Sequence, residues 1–485
     1  GNPPWIRWGY LSDEYKNATK GLWQKHGLFS LKGAETRLGA GEKDFSMLFT
    51  YAAAESYLHS QGRLGFLITQ EVFKSKGAGE GFRRFILSSS TPLAVERADD
   101  FVPVKPFEGA ANKTAMIVCR KGSPTTYPVP YIEWRPKEKR PLPDERLEDA
   151  LRNLSATQME ASPIGAPAGA WQTLAAEKAS VQRLKGTCAY VARLGARVEP
   201  YGVFWAKLNS IRPDGLAVIE NLPELGKREI QKTTASLEPD LLYPAVRGAD
   251  IKRWTATSTI FVLIVQDPNT RKPIPSSHLK QQLPRTFQYL RRFKEALETR
   301  GSRHVREFAA QTEFYAMYGI GNYTFAPNRV VWARMANDIR ATVLSTLSTP
   351  MGWKLAIPTD TTSLVAVDGP NEAHYVCALL NSRPFRAFIK SFSSPGRGFG
   401  APAILKNTAI PKFVPSNPLH RQLADLSQRA HALAAQLHEA PATGRGSLSE
   451  QLAQVEDQID HAAAQLWGIS DEELEEIRKA LELLK

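Results

Sequence analysis

Asp44-Phe45-Ser46-Met47-Leu48-Phe49-Thr50-Tyr51, running on to Leu58, and then Gly62-Arg63-Leu64-Gly65-Phe66-Leu67-Ile68-Thr69 are the two stretches on which the fold turns. The first spaces its apolar residues at helical intervals. The second is a short apolar run entered through a glycine, which reads as a buried strand. Toward the C-terminus, the loop Lys76-Gly77-Ala78-Gly79-Glu80-Gly81 precedes a short helix expected over Phe82 to Leu87. Two further strands are expected, Pro92 to Arg97 and Thr114 to Cys119, joined through Phe107-Glu108-Gly109-Ala110. Strand, helix, strand and a terminal hairpin are what the second half of a doubly wound, Rossmann-like α/β sheet looks like.

Further out the character changes. Pro124, Pro128, Pro130, Pro136, Pro141 and Pro143, with many Lys and Arg between them, favour an extended connection over a packed element. The first boundary therefore falls near residue 125, and 126–189 reads as a linker with a helical connection. From 190 to 415 short strands, frequent turns and aromatics point to a mixed α+β domain. Residues 416–485 form the tail, where His420 to Leu437 and Leu448 to Leu466 keep helical periodicity around Thr443-Gly444-Arg445-Gly446-Ser447, the pattern of an antiparallel helix pair. At 485 residues the chain holds two or three such domains.

Composition excludes several classes. The hydrophobic share of 42 % is that of a globular protein, no apolar run approaches the ~20 residues of a membrane helix, and the N-terminus lacks the serial regions of a secretory leader. Cys119, Cys188 and Cys377 lie far apart, which fits a reducing cytoplasm, and the nine histidines form no zinc-type spacing. Lys and Arg number 62 against 49 Asp and Glu, an excess of 13 that favours a polyanionic partner, because a cation set against a phosphate releases condensed counterions.

Asn2-Pro3-Pro4-Trp5 carries the chemistry. An aromatic amine is a poor nucleophile because its lone pair is delocalised into the ring. Two acceptors held against its hydrogens, an Asn carboxamide oxygen and a backbone carbonyl, push the nitrogen toward tetrahedral geometry, and paired prolines stiffen the loop that aims them. Trp5 offers a flat face for a base taken out of the duplex. Taken alone, four such residues also fit an ordinary turn.

Asn2-Pro3-Pro4-Trp5, the Asp44 to Phe49 run and the Gly62 to Thr69 strand, in this order, resemble the catalytic half of the amino-group DNA methyltransferases of type IIG restriction–modification and phage-defence systems. The resemblance is specific over 1–125 and looser beyond. It implies that Asn2, Pro3, Pro4 and Trp5 are catalytic, that S-adenosylmethionine is the methyl donor, that adenine N6 in double-stranded DNA is the acceptor, and that 190–415 is the target recognition domain. Cofactor motifs precede the Asn-Pro-Pro-aromatic loop in that family. The chain, opening at Gly1, is thus expected to be a fragment or half of a split enzyme, with the cofactor lobe supplied upstream or by a separate N-terminal methylase chain; a nuclease subunit is a further expected partner. In the family an aromatic often sits between the glycines near the flipped base; Ala78 stands there, leaving Phe73 or Phe82 beside Gly77 and Gly79 as expected base-flanking residues. Tyr243-Pro244 and Arg247 to Trp254 resemble the opening of a TaqI-like specificity domain, where Arg247, Lys252 and Arg253 would contact phosphates or guanine edges. Arg397, in the loop Ser393 to Gly400, is a further DNA-facing residue.

Alternatives remain at several positions. The glycine loop also fits a nucleotide cradle with Glu96 as ribose acid, although it begins eight residues past the strand end. Arg285, Arg291, Arg292 and Lys294 read as backbone contacts or plain helix surface. Asn381 to Phe385 reads as structural, and the tail packs, spaces or binds a partner helix. Asp214, Glu224 and Lys227 lack the alternating spacing of a nuclease site. The competing function is a DNA-binding specificity subunit whose methylase lobe is vestigial.

Overall fold

The computed structural model describes residues 1–485 apart from 30–43, 76–78, 108–111, 139–145, 175, 394–395, 397, 442–443 and 483–485. Two compact units divide it, Gly1–Lys185 with Ala387–Ser394, and Gly186–Arg386 with Pro395–Lys485. The fold class is α/β, as the sequence leads one to expect.

In the first unit, α1 (Asp13–Lys25) and α2 (Phe45–Tyr57) lead into β1 (Arg63–Thr69) and the short α3 (Glu71–Lys74). Asp44 caps α2, accepting from Ser46 N at 2.9 Å and Ser46 Oγ at 2.5 Å, which satisfies donors that the first helical turn leaves open. The stripe Phe45, Met47, Leu48, Tyr51 and Ala54 is then buried against Ile68, Ile117 and Trp23 in one core. β2 (Leu93–Asp100), β3 (Thr114–Lys121), β4 (Val129–Pro136), β5 (Leu154–Pro163) and β6 (Trp171–Leu174) complete a six-stranded sheet in the order β1-β3-β2-β4-β5-β6. β3 runs antiparallel to both β1 and β2, so those two are parallel, and β2 also pairs parallel with β4.

Two local expectations need correction. The helix read over Phe82 to Leu87 is only a 3-10 turn at Phe82–Arg84; it stops at Phe85, whose φ of 48° is left-handed, and the Phe85 carbonyl then accepts from Leu93 N at 2.8 Å. The proline-rich stretch holds β4, which pairs on both sides. Its Val129 and Tyr131 are fully buried, and that burial outweighs the prolines flanking and entering the strand. Lys74, singled out by nothing in the sequence, is buried too: its ammonium donates to Thr173 Oγ1 at 2.6 Å and to the Ser391 carbonyl at 2.8 Å, and burial lowers its pKa to about 8.

The second unit carries a six-stranded sheet of, in spatial order, Thr234–Leu237, Ala217–Asn221, Trp205–Ile211, Phe261–Leu263, Leu242–Val246 and Ile357–Pro358. A four-stranded sheet follows, Ala341–Leu344, Asn328–Ala333, Thr362–Val367 and Ala192–Leu194. Against these lie α4 (Ser276–Gln282), α5 (Pro284–Arg292), α6 (Lys294–Glu298) and α7 (Pro370–Asn381), and α8 (Arg383–Phe392) begins in this unit and ends in the first. The expected tail pair is present as α9 (Pro418–Glu439) and α10 (Arg445–Leu466), with a third helix, α11 (Asp471–Glu482), that the sequence reading did not assign. No helix among the described residues is long and apolar enough to cross a membrane, and none of their His, Cys, Asp and Glu side chains group as metal ligands. The three cysteines are free thiols.

Candidate functional site

Asn2-Pro3-Pro4-Trp5 is an arch tied down at both feet. At one foot the Gly1 ammonium donates to the Gly65 carbonyl at 2.7 Å and the Gly1 carbonyl accepts from Leu67 N at 2.9 Å, a parallel rung on the edge of β1. At the other, the Ile6 carbonyl accepts from Phe45 N at 2.9 Å and Arg7 bridges Asp44, the cap of α2. Between the feet Pro3 is buried, and the indole N–H of Trp5 donates to the Leu67 carbonyl at 3.2 Å. Asn2 and Pro4 are exposed. Anchored neighbours and rigid prolines therefore present the Asn2 carboxamide to solvent without locking it to another side chain, the condition for a polar group that must meet a ligand.

Trp5 is half-buried and packs edge-to-face on Phe107, 5.4 Å between centroids, and Phe107 keeps 36 % of its surface exposed. Phe107 lies in the connection from β2 to β3. In the sequence it merely joins two strands; its pairing with Trp5 depends on where the hairpin returns, which no local signal encodes. Charged groups rim the arch: Arg7 sits 3.5 Å from Glu71, and burial raises the Asp44 carboxyl to about 6 against the opposing pull of its Ser46 hydrogen bonds.

The expected base-flanking residues behave differently. Phe73 is fully buried and stacked on Trp171 at 4.6 Å, and Phe82, 1 % exposed, tilts against Tyr51 and meets Phe85 edge-to-face. Both are core side chains and offer no ring face to a base. Gly77 lies outside the described residues. Gly79 is buried, and a Cβ there would stand 2.1 Å from Arg83 Nη1 and 2.7 Å from the Val72 carbonyl. The Arg83 guanidinium fills the turn itself, donating to the Val72 and Ser75 carbonyls at 2.6 and 2.8 Å. The described part of this loop is thus a closed packing motif. It does not fit a cradle for S-adenosylmethionine.

In the Arg247 to Trp254 segment, Asp250 grips Arg247 through Nε and Nη2, both at 2.9 Å. Arg253 is 3.0 Å from Glu456 of α10 and donates to the Asn381 carbonyl, while the Trp254 indole donates to the same Glu456 at 2.6 Å. Lys252 is exposed. Arg397 lies outside the described residues. The structure thus brings Asn2 to Trp5 together with Phe107, and gives Arg247 and Arg253 carboxylate partners within their own unit.

No family model matches the chain. Over 157 residues it is 24 % identical to the type II methyltransferase M.NspV of Nostoc sp. (strain ATCC 29411 / PCC 7524), a stretch that covers 32 % of this chain and 30 % of that protein. Of solved structures, the type IIL restriction–modification enzyme MmeI in complex with DNA superposes on 99 % of this chain with a TM-score of 0.54 at 12 % identity. The chain shares its fold with a restriction–modification enzyme. It spans 57 % of that structure's chain and a smaller part of its curated relative.

Proposed function

We propose that this chain is the base-handling and recognition portion of an S-adenosylmethionine-dependent DNA adenine-N6 methyltransferase. The observation that carries the reading is the arch: an unengaged carboxamide, a buried proline behind it and two partly exposed aromatic rings beside it. A duplex adenine cannot reach such a site while stacked, so it enters flipped out. The Asn2 carboxamide oxygen and the Pro3 carbonyl accept from its two N6 hydrogens, drawing the nitrogen lone pair out of conjugation. The exposed parts of Trp5 and Phe107 give the base an apolar wall. Because Gly1 and Ile6 are held by backbone bonds and Trp5 by its indole N–H, these acceptors are placed before the base arrives, which is where such sites obtain most of their effect.

On this reading the methyl donor would be S-adenosylmethionine, as the resemblance to amino-group DNA methyltransferases implies. The weak likeness to a type II methyltransferase supports the class, and the excess of 13 positive charges supports a nucleic-acid partner. The test is to incubate duplex DNA and labelled S-adenosylmethionine with the chain, alone and together with a separately expressed cofactor-binding lobe, then digest the DNA to nucleosides. Label in N6-methyladenine, scarce with the chain alone and abundant with the lobe, is the expected result. Label in N4-methylcytosine, or none in either case, would overturn the reading. The competing specificity-subunit reading predicts duplex binding with no transfer under any combination.

A further inference from the structure

We infer that the exposed face of α5, carrying Arg285, Gln288, Arg291 and Arg292, grips the phosphate backbone of duplex DNA. The inference rests on the recognition role proposed above and names the surface that performs it. Positive charge is unevenly spread along the chain: 186–415 holds 30 Lys and Arg against 17 Asp and Glu, whereas 416–485 holds 6 against 12. Within the basic part, the stretch from Arg271 to Gln311 alone contributes 10 against 3.

The underside of α5 is fixed. Glu238 caps its first turn, accepting from Arg285 N at 2.9 Å and Thr286 N at 2.8 Å, and Tyr289 donates its hydroxyl to the Val203 carbonyl at 2.6 Å. Tyr289 and Leu290 are buried in the main core of the unit. The opposite face is exposed, with Arg285, Gln288 and Arg292 at i, i+3 and i+7 on one side and Arg291 on its flank. Arg285 to Arg292 spans about 10 Å of helix, comparable to about three base pairs at 3.4 Å per step.

These cations do not serve the helix. Arg291 and Arg292 in the last turn favour the macrodipole, but Arg285 stands in the first turn, the positive end, where a cation is disfavoured. Among the described residues no carboxylate pairs with the side chain of Arg285, Arg291 or Arg292, while the next lysine, Lys294, sits 3.6 Å from Glu298. Unpaired guanidiniums on a rigid, flat-sided helix, one of them placed against the helix's own field, are complementary to a row of phosphates.

The test uses the whole chain, a fluorescein-labelled DNA duplex and a double-stranded RNA of equal length. The triple variant Arg285→Ala, Arg291→Ala, Arg292→Ala is compared with the parent by anisotropy across a salt series. Because all three side chains are exposed, thermal unfolding should be unchanged. Affinity for DNA should fall by about 10- to 100-fold at moderate salt, equally for any sequence, and the salt slope should drop by about two to three. DNA affinity and slope unchanged in the variant, while the parent binds duplex, would overturn this inference and leave the methyltransferase reading standing. A loss confined to RNA would overturn it as well. A parent chain that binds no duplex would remove the proposed function itself, and this inference with it.

Discussion

Two arginine-bearing segments of the second unit look alike on paper and differ in the fold. Arg247 to Trp254 and Pro284 to Arg292 both place several cations near an aromatic, and both read as candidates for DNA. In the first, Asp250 holds Arg247, and Arg253 is taken by Glu456, some two hundred residues further on. In the second, the three arginines of α5 meet no carboxylate among the described residues. Whether a cation is spent inside the protein or remains for a ligand is decided by partners that are distant in sequence, so charge density alone could not sort the two segments.

The sharpest way to break this comparison is to remove Arg253. Its loss leaves Glu456 holding only the Trp254 indole, so Arg253→Ala should destabilise the second unit by about 2–4 kcal/mol in chemical unfolding, a partly exposed pair being worth less than a fully buried one. The salt slope of duplex binding should stay at the parent value. A clear fall in slope at unchanged stability would reverse the roles given to the two segments.

A smaller effect comes from the helices behind that segment. His431 Nε2 accepts from Val343 N at 3.0 Å while its Nδ1 lies 2.7 Å from the Ser427 carbonyl, so the ring is fixed as a neutral tautomer; His374 Nδ1 meets Ser427 Oγ at 3.1 Å. Burial holds both imidazoles down at about 4, and His431 adds to the depression of His374. The unfolded rings titrate at about 6.5, so between those values the unfolded chain binds more protons. Stability is therefore complete above about pH 6.5 and declines as pH falls toward 4, the loss for the pair reaching on the order of 3 kcal/mol by about pH 5.5. Unfolding midpoints measured along that pH series should show the decline, and the double variant His374→Gln, His431→Gln should flatten it. An equal decline in the double variant would assign the acid sensitivity elsewhere.

The smallest expected effect belongs to Lys252, exposed on the short strand Ile251–Lys252 next to Arg253. Lys252→Ala should weaken duplex binding about threefold and lower the salt slope by about one, without sequence preference. No change would remove the Arg247 to Trp254 segment from the DNA surface altogether.

Much of the first unit was legible in the sequence because local rules coincide with the tertiary ones. Asp44 caps a helix whose apolar spacing matches its buried face, and Gly62 opens a strand that is a strand. The arch could be read as well, since Asn-Pro-Pro-Trp restricts its own backbone. What could not be read depends on return paths: Phe107 reaches Trp5 only because β3 inserts between β1 and β2. Phe73 and Phe82 go inward because Trp171 and Tyr51 come to meet them. β4 was hidden by prolines that tolerate a strand when Val129 and Tyr131 have a core to fill.

The most direct test of the account is the Asn2→Ala substitution, followed by single-turnover methyl transfer in the presence of the complementary cofactor lobe and by duplex binding on the same preparation. Transfer should fall by about 10²- to 10³-fold, the usual cost of deleting one preorganised polar group, while DNA affinity stays within about twofold of the parent. Transfer retained at the parent rate would contradict the assignment of the arch as the place where the adenine amine is held.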